Sequence, residues 1–266
     1  MFLSDLQKIV TKTLFDSGIE TSSLDSRIIL KEIFCFNEKQ LILNSQLIVS
    51  AKKINEVDKI LARRISGEPI SKIFGKREVY KYSFLISKDV LDPRSETELI
   101  IEIANNFILD KGYKSFIDLG TGSGCIILSI LEDNKSLCAL GIDISHEAIN
   151  IAVKNCKNLN LEKKATFIVS NWLLPICGLY DLIISNPPYI PSKDIDTLSG
   201  SVKNYDPLVS LDGGEDGLKC YREIAEDITR VISKNGRVIL EIGYNQADDV
   251  IKIFESKDFI FLDKYI

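Results

Sequence analysis

Apolar residues recur at helical spacing through the first seventy positions. In LQKIVTKTLFDSGI, Leu6, Ile9, Val10 and Leu14 fall on one side of a helix, and LDSRIILKEIF repeats the pattern. INEVDKILARRI does so again with Ile54, Val57, Ile60, Leu61 and Ile65, and Gly67-Glu68-Pro69 ends the helical region. Next comes REVYKYSFLIS, short and rich in aromatic and β-branched residues, which predicts a hairpin.

Beyond Pro93 the rhythm changes. Ser95 and Glu98 have the spacing of a capping box, directly before the apolar-periodic LIIEIANNFI, and predict a helix start. SFIDLG, LCALGID, ATFIVS and DLIISN then read as strands, separated by the helices CIILSILE and HEAINIAVKNC. Near-continuous apolar strands alternating with helices predict an α/β fold with a doubly wound, mostly parallel sheet. The division expected is a helical domain over residues 1–70, a β-hairpin linker over 71–92 and the α/β domain over 93–266. LKCYREIAEDITRVI is a further helix, and VILEIG and FIFLDKYI read as late strands. From Ile190 to about Gly217 there is little periodicity, a length that suits a lid, a binding surface or a tolerated insertion.

Composition narrows the function classes. Hydrophobic residues make up 45% and charged residues 27%, the balance of a globular protein, and no apolar run has the length of a membrane span. The start, MFLSDLQKIVTKTL, carries charges where a signal peptide is uninterruptedly apolar, so a cytoplasmic protein is expected. A formal net charge of −5 argues against direct nucleic-acid binding, although Lys76, Arg77 and Lys81 form a local basic group. The six cysteines contain no CxxC pair, and His146 is the single histidine, so no metal site is expected. Reduced, buried thiols are the reading for the cysteines.

Asp118-Leu-Gly120-Thr121-Gly122-Ser123-Gly124 joins a strand to a helix. Glycines permit a sharp turn and a close ligand approach, and free N–H groups at a helix start favour an anionic group. Asp143 follows Gly124 by nineteen residues, at the end of the next strand, where an acid can accept from ribose hydroxyls. Together they point to an adenosine-type cofactor. The plainer reading is a structural turn with Asp143 as a helix cap.

Asn186-Pro187-Pro188-Tyr189 follows the strand DLIIS and so stands over the cofactor crevice. An amide or aromatic-amine nitrogen has a delocalised lone pair and is a poor nucleophile. Held through both N–H bonds by the Asn186 side-chain oxygen and the Pro187 carbonyl, it aims that lone pair at a methyl donor. The prolines bring no competing N–H, and Tyr189 offers a flat face for stacking. The reading is methyl transfer from S-adenosyl-L-methionine to a planar nitrogen.

DLGTGSG, GID, SNW, SNPPY, YDP, LDGGEDGL, YREI and LEIGYNQ, with GEPISKIFG and PRSETE, resemble the release-factor glutamine methyltransferases over about residues 67 to 246. The helical N-terminal region resembles that family's substrate-binding domain. The resemblance implies a class I methyltransferase fold with S-adenosyl-L-methionine as cofactor, and a monomer is expected. Its substrate would be the glutamine of the Gly-Gly-Gln motif in peptide-chain release factors. By that resemblance Gly120, Thr121, Gly122, Ser123, Gly124, Asp143, Trp172 and Asn186 contact the cofactor. Asn186, Pro187, Pro188 and Tyr189 hold the glutamine, with Asn186, Pro187 and Tyr189 as the catalytic set.

The chain departs from the family pattern at Ser95, where proline is usual, and at Asn171, where an acid is common. It also ends at FIFLDKYI, where the family continues into a last antiparallel strand. Residues 259–266 are therefore expected either to pair with VILEIG or to lack order. Asp212, Asp216, Gly217 and Glu223 mimic the spacing of a calcium loop, but Gly214 stands where a ligand is needed, and Asp216 reads better as a helix cap. Rival readings are an adenine-N6 or guanine-N2 methyltransferase on DNA or RNA, and a catalytically impaired cofactor-binding protein.

Overall fold

The structure, a computed structural model, describes residues 1–266 and falls into two compact units, Met1–Gly75 and Lys76–Ile266. Residues 71–92 are divided between them.

The first unit is helical: α1 (Leu3–Asp16), α2 (Ser22–Phe34), α3 (Glu38–Leu43), α4 (Ala51–Ile65) and α5 (Ile70–Phe74). Its core holds Leu3, Leu6, Val10 and Leu14 from α1, Ile29 and Leu30 from α2, and Val57 and Leu61 from α4. Ile9 and Ile65, expected on the buried faces, are about half exposed, so the buried stripe is narrower than the apolar pattern. Asn37 caps α3 reciprocally with Gln40, a true capping box. The buried Asp25 accepts from the Arg64 Nε at 2.7 Å, which answers a charge that burial alone would make costly. After Gly67-Glu68-Pro69 the chain makes one further short helix, α5, against α2 and α4.

The second unit opens with an antiparallel hairpin, β1 (Lys76–Val79) and β2 (Tyr82–Leu85). Helix α6 (Thr97–Lys111) begins where predicted, but the capping box does not form. The Ser95 hydroxyl donates to Glu96, and the Glu98 carboxylate accepts the Tyr80 N–H at 2.9 Å, holding the hairpin turn, where Tyr80 has φ 58°. Strands β3 (Ser115–Leu119), β4 (Cys138–Asp143), β5 (Ala165–Val169), β6 (Tyr180–Ser185) and β7 (Ile232–Leu240) form one sheet in the order β5-β4-β3-β6-β7. Every neighbouring pair is parallel. Helices α7 (Cys125–Asp133), α8 (His146–Asn158), α10 (Lys219–Val231) and α11 (Ala247–Glu255) connect or follow the strands, with a one-turn α9 (Gly200–Lys203) in the long loop.

Strand residues alternate between two cores, as a sheet covered on both faces requires. Phe116, Leu182 and Ile184 pack with α6 and α7. Ile117, Leu119 and Ile183 pack with Tyr221, Ile224 and Ile228 of α10 and Val250 and Phe254 of α11.

The C-terminal segment does not make the pairing offered as one alternative for it. Phe259 packs edge-on against Phe254, with ring centroids 5.7 Å apart, but residues 260–266 form no strand and are exposed. They do not pair with β7, which is the edge strand of the sheet. Nor are the cysteines uniformly buried: Cys125, Cys156 and Cys220 are, whereas Cys35, Cys138 and Cys177 are exposed, and all six are free.

Candidate active site

Parallel strands end on one side of their sheet, and the loops there collect the candidate residues. Gly120, Gly122 and Gly124 carry positive φ angles of 70°, 55° and 79°, a run of left-handed backbone that glycine adopts without a Cβ penalty. A Cβ at Gly120 would stand 3.8 Å from the Asn186 carbonyl and 3.9 Å from Cζ3 of Trp172. The glycine turn, the indole and the Asn-Pro-Pro-Tyr segment thus converge on one cradle, which the missing Cβ leaves open.

Asp143 spans the turn. Its Oδ2 accepts the Gly122 N–H at 2.8 Å and its Oδ1 the Ser145 N–H at 2.9 Å. Each carboxylate oxygen keeps a second lone pair for a ligand hydroxyl. Burial pushes the Asp143 carboxyl above its ordinary pKa, opposed by those N–H groups. The helix-cap alternative falls to its neighbour: Ser145 caps α8, its hydroxyl accepting the Ala148 N–H. Thr121 turns its hydroxyl inward to the fully buried Asp118, at 2.7 Å, and Ser123 is buried likewise. Both therefore present main chain rather than side chain to a ligand. Desolvation raises the Asp118 pKa to about 7, with the nearby Asp143 charge adding to it.

Trp172 sits at φ 47°, and its indole N–H donates to Glu223 at 2.8 Å. That bond holds the ring beside Gly120 and accounts for a left-handed conformation that costs about 1 kcal/mol or more in a non-glycine residue. His146 is exposed in the first turn of α8.

The Asn-Pro-Pro-Tyr segment leaves β6 directly. Ser185, fully buried, donates to the Leu119 carbonyl and ties β6 to β3 just before Asn186. Pro187 is buried, Asn186, Pro188 and Tyr189 half-buried. The Tyr189 hydroxyl donates to Glu241 at 3.2 Å, and burial pushes its pKa up to about 12. Glu241 follows the last strand and also lies beside the Asn186 side chain. Sequence reasoning assigned it no task, because nothing in the local pattern of LEIGYNQ says which way a carboxylate after a strand will point.

Two other residues escaped it for the same reason. Asn155 of α8, 1% exposed, donates to the Ser123 and Leu85 carbonyls and accepts the Leu85 N–H, stitching the glycine turn to the hairpin. Asp206, in the long loop, accepts the Asp92 N–H and the Arg94 guanidinium, both at 3.0 Å. The loop is pinned again where Ile190 exchanges backbone hydrogen bonds with Leu211 and Gly213. It is therefore a fastened loop with short helical turns.

The calcium-like spacing dissolves on inspection. Asp212 accepts from Ser192 and Gly214, Asp216 pairs with Arg222 and accepts the Leu218 N–H, and Glu223 holds Trp172. The three carboxylates serve three different partners, and Asp216 supports the entry to α10 without being its N-cap.

The arrangement fits an adenosine-type cofactor: an open glycine cradle, an acid with spare lone pairs at a strand end, and an indole face beside them. Comparison with known proteins agrees with that chemistry. Residues 77–200 match the methyltransferase small domain family and residues 5–75 the PrmC N-terminal domain. The catalytic domain of hMettl16, solved with the MAT2A 3'UTR hairpin 6, shares the fold with a TM-score of 0.50 at 18% identity, over 73% of each chain. The release factor glutamine methyltransferase of Rhodospirillum rubrum is 37% identical over 90% of this chain and 73% of its own. That of Agrobacterium fabrum is 36% identical over 95% of this chain and 89% of its own. With full-length similarity of this order on both sides of the boundary at Gly75, the chain belongs to the release factor glutamine methyltransferase family.

Proposed function

We propose that this chain methylates the side-chain amide nitrogen of the glutamine in the Gly-Gly-Gln motif of peptide-chain release factors, with S-adenosylmethionine as donor. The observation that carries the reading is the placing of Asn-Pro-Pro-Tyr at the end of β6, beside the open glycine cradle and Trp172. The cofactor supplies an electrophilic methyl on a sulfonium. The backbone of residues 120–124 would receive its anionic end, Asp143 would accept from the ribose hydroxyls, and Trp172 would offer its indole face to the base. Asn186 Oδ1 and the Pro187 carbonyl accept the two N–H bonds of the glutamine amide, which leaves its lone pair free for in-line attack. The exposed part of the Tyr189 ring flanks the planar group.

All of these residues come from one chain, which supports a monomeric enzyme. A substrate that belongs to translation puts the work in the cytoplasm, and no helix is long and apolar enough to cross a membrane. A net charge of −5 supports a protein substrate over DNA or RNA, since a polyanion is usually met by a basic surplus. Intact Asn186, Pro187 and Asp143 support turnover over mere cofactor binding.

The test is methylation of purified release factor, tRNA, ribosomal RNA and DNA with labelled S-adenosylmethionine. Methyl on the release-factor glutamine, located by mass spectrometry, is the expected result. Methyl on adenine or guanine with an unmodified release factor overturns the reading.

A further inference from the structure

Glu241 has its main chain fixed from two sides. Its N–H donates to the Ser185 carbonyl at 3.0 Å, and its own carbonyl accepts the Tyr221 hydroxyl at 2.8 Å. The carboxyl thereby reaches the residues that follow Ser185. Oε1 accepts from the Tyr189 hydroxyl, while Oε2 is buried with no partner at normal hydrogen-bond geometry. The Asn186 side chain lies beside this carboxyl and favours its charged form.

An ionised carboxylate only accepts, so the end of the Asn186 amide that it attracts is the NH₂ end. The two flips of an asparagine amide have nearly the same shape, and only hydrogen-bond partners choose between them. With its NH₂ drawn toward Glu241, the amide turns its oxygen the other way. The opposite flip would set an NH₂ against the NH₂ of a glutamine, donor against donor.

We propose that Glu241 is a positioning residue that fixes the flip of the Asn186 side-chain amide, so that Oδ1 faces the nitrogen to be methylated. The proposal rests on the reading that Asn186 holds the acceptor amide. Tyr189, by occupying Oε1, keeps the carboxyl oriented toward Asn186. The other groups that face Glu241 are Arg94 and Glu96, from the segment before α6, and Tyr221 of α10. Burial and Glu96 work against its charge; Tyr189, Asn186 and Arg94 support it, and the outcome is a carboxyl that titrates above the ordinary range. Once protonated it can donate to Asn186 Oδ1 and select the wrong flip. Turnover should therefore fall on the acid side as Glu241 takes up its proton.

The test compares wild type, E241Q, N186D and the double variant for kcat and KM on a release factor, and for S-adenosylhomocysteine affinity, from about pH 5 to about pH 9. Glutamine at 241 offers both an oxygen and an NH₂, so the choice of flip is lost. Aspartate at 186 presents an oxygen on either side, so there is no flip to choose. E241Q should lower kcat about tenfold or more and abolish the acid limb, with S-adenosylhomocysteine affinity within about threefold of wild type. In the N186D background the same substitution should cost less than about threefold. An equal loss in both backgrounds, a loss below about threefold in the native one, or an acid limb that persists in E241Q overturns the proposal. A wild-type enzyme that binds S-adenosylhomocysteine but leaves release factors unmodified refutes the substrate reading instead. The flip then stands on the Asn186 side-chain ¹⁵N–H signals, which must shift as Glu241 titrates in wild type and stay still in E241Q.

Discussion

The Gln246 side chain donates through Nε2 to the Tyr189 carbonyl at 2.9 Å, closing the Asn-Pro-Pro-Tyr segment against the first turn beyond β7. The same NH₂ donates to the Gly217 carbonyl at 3.2 Å, and Oε1 accepts the Gly243 N–H at 2.9 Å. The connections after β6 and after β7 meet on one buried amide. Gly217 is the partner that makes room: a Cβ there would run into the Tyr189 carbonyl.

Gln246→Ala strands two buried carbonyls and one N–H. It should cost about 1–3 kcal/mol in denaturant melts and lower kcat, because Tyr189 and its neighbours lose their anchor. Unchanged stability and turnover together would show that the clamp is idle.

Asn186→Ala should nearly abolish turnover while S-adenosylhomocysteine affinity stays within about tenfold, since Asn186 acts mainly on the accepting nitrogen. Survival of kcat within a few-fold would remove it from the nitrogen clamp.

For Asp143→Ala, calorimetry with S-adenosylhomocysteine should show binding weaker by about 1–3 kcal/mol, as ribose hydroxyls lose a charged acceptor and the Gly122 N–H loses its brace. An unchanged dissociation constant would leave Asp143 a purely structural turn residue.

Asp118 ties stability to pH. Its folded-state pKa, raised to about 7, lies above the value near 4 of an unfolded aspartate, so between these the native state holds the extra proton. Stability from this group is present below about pH 4 and is lost as pH rises toward about 7. Asp118→Asn, which cannot ionise, should gain in melting temperature relative to wild type as pH goes from about 5 to about 8. A constant difference across that range would mean that the carboxyl is not so perturbed.

Removal of residues 260–266 should shift the melting temperature by no more than about 2 °C, because exposed, unpaired chain contributes little. Phe259→Ala, which takes a ring from the edge-on pair with Phe254, should lower it by more.

The alternation of apolar strands with helices, the glycine turn and Asn-Pro-Pro-Tyr were legible in the sequence, because each is a local pattern with a local cause. What stayed hidden was reach across the chain. Glu241, Gln246, Asn155 and Asp206 are ordinary polar residues by spacing, and only the register of the parallel strands decides what their side chains meet. The Ser95–Glu98 spacing failed for the same reason in reverse: a distant N–H, that of Tyr80, claimed the glutamate. The long stretch after Ile190 looked loose because its fastenings, at Asp206 and Leu211 to Gly213, are tertiary.

The glycine turn, Asp143 and Trp172 stand at or just past the ends of three different strands of one parallel sheet, so none of them is near another in the nascent chain. Donor binding thus requires these three strands in register at once, and a partly assembled sheet offers it no complete cradle. Ligand occupancy then acts on folding itself: added S-adenosylmethionine stabilises only molecules in which β3, β4 and β5 have all docked. In a cell with ample donor, the finished enzyme is held closed by its own reagent, while a chain in which β3, β4 and β5 have not yet docked receives no such protection from proteases.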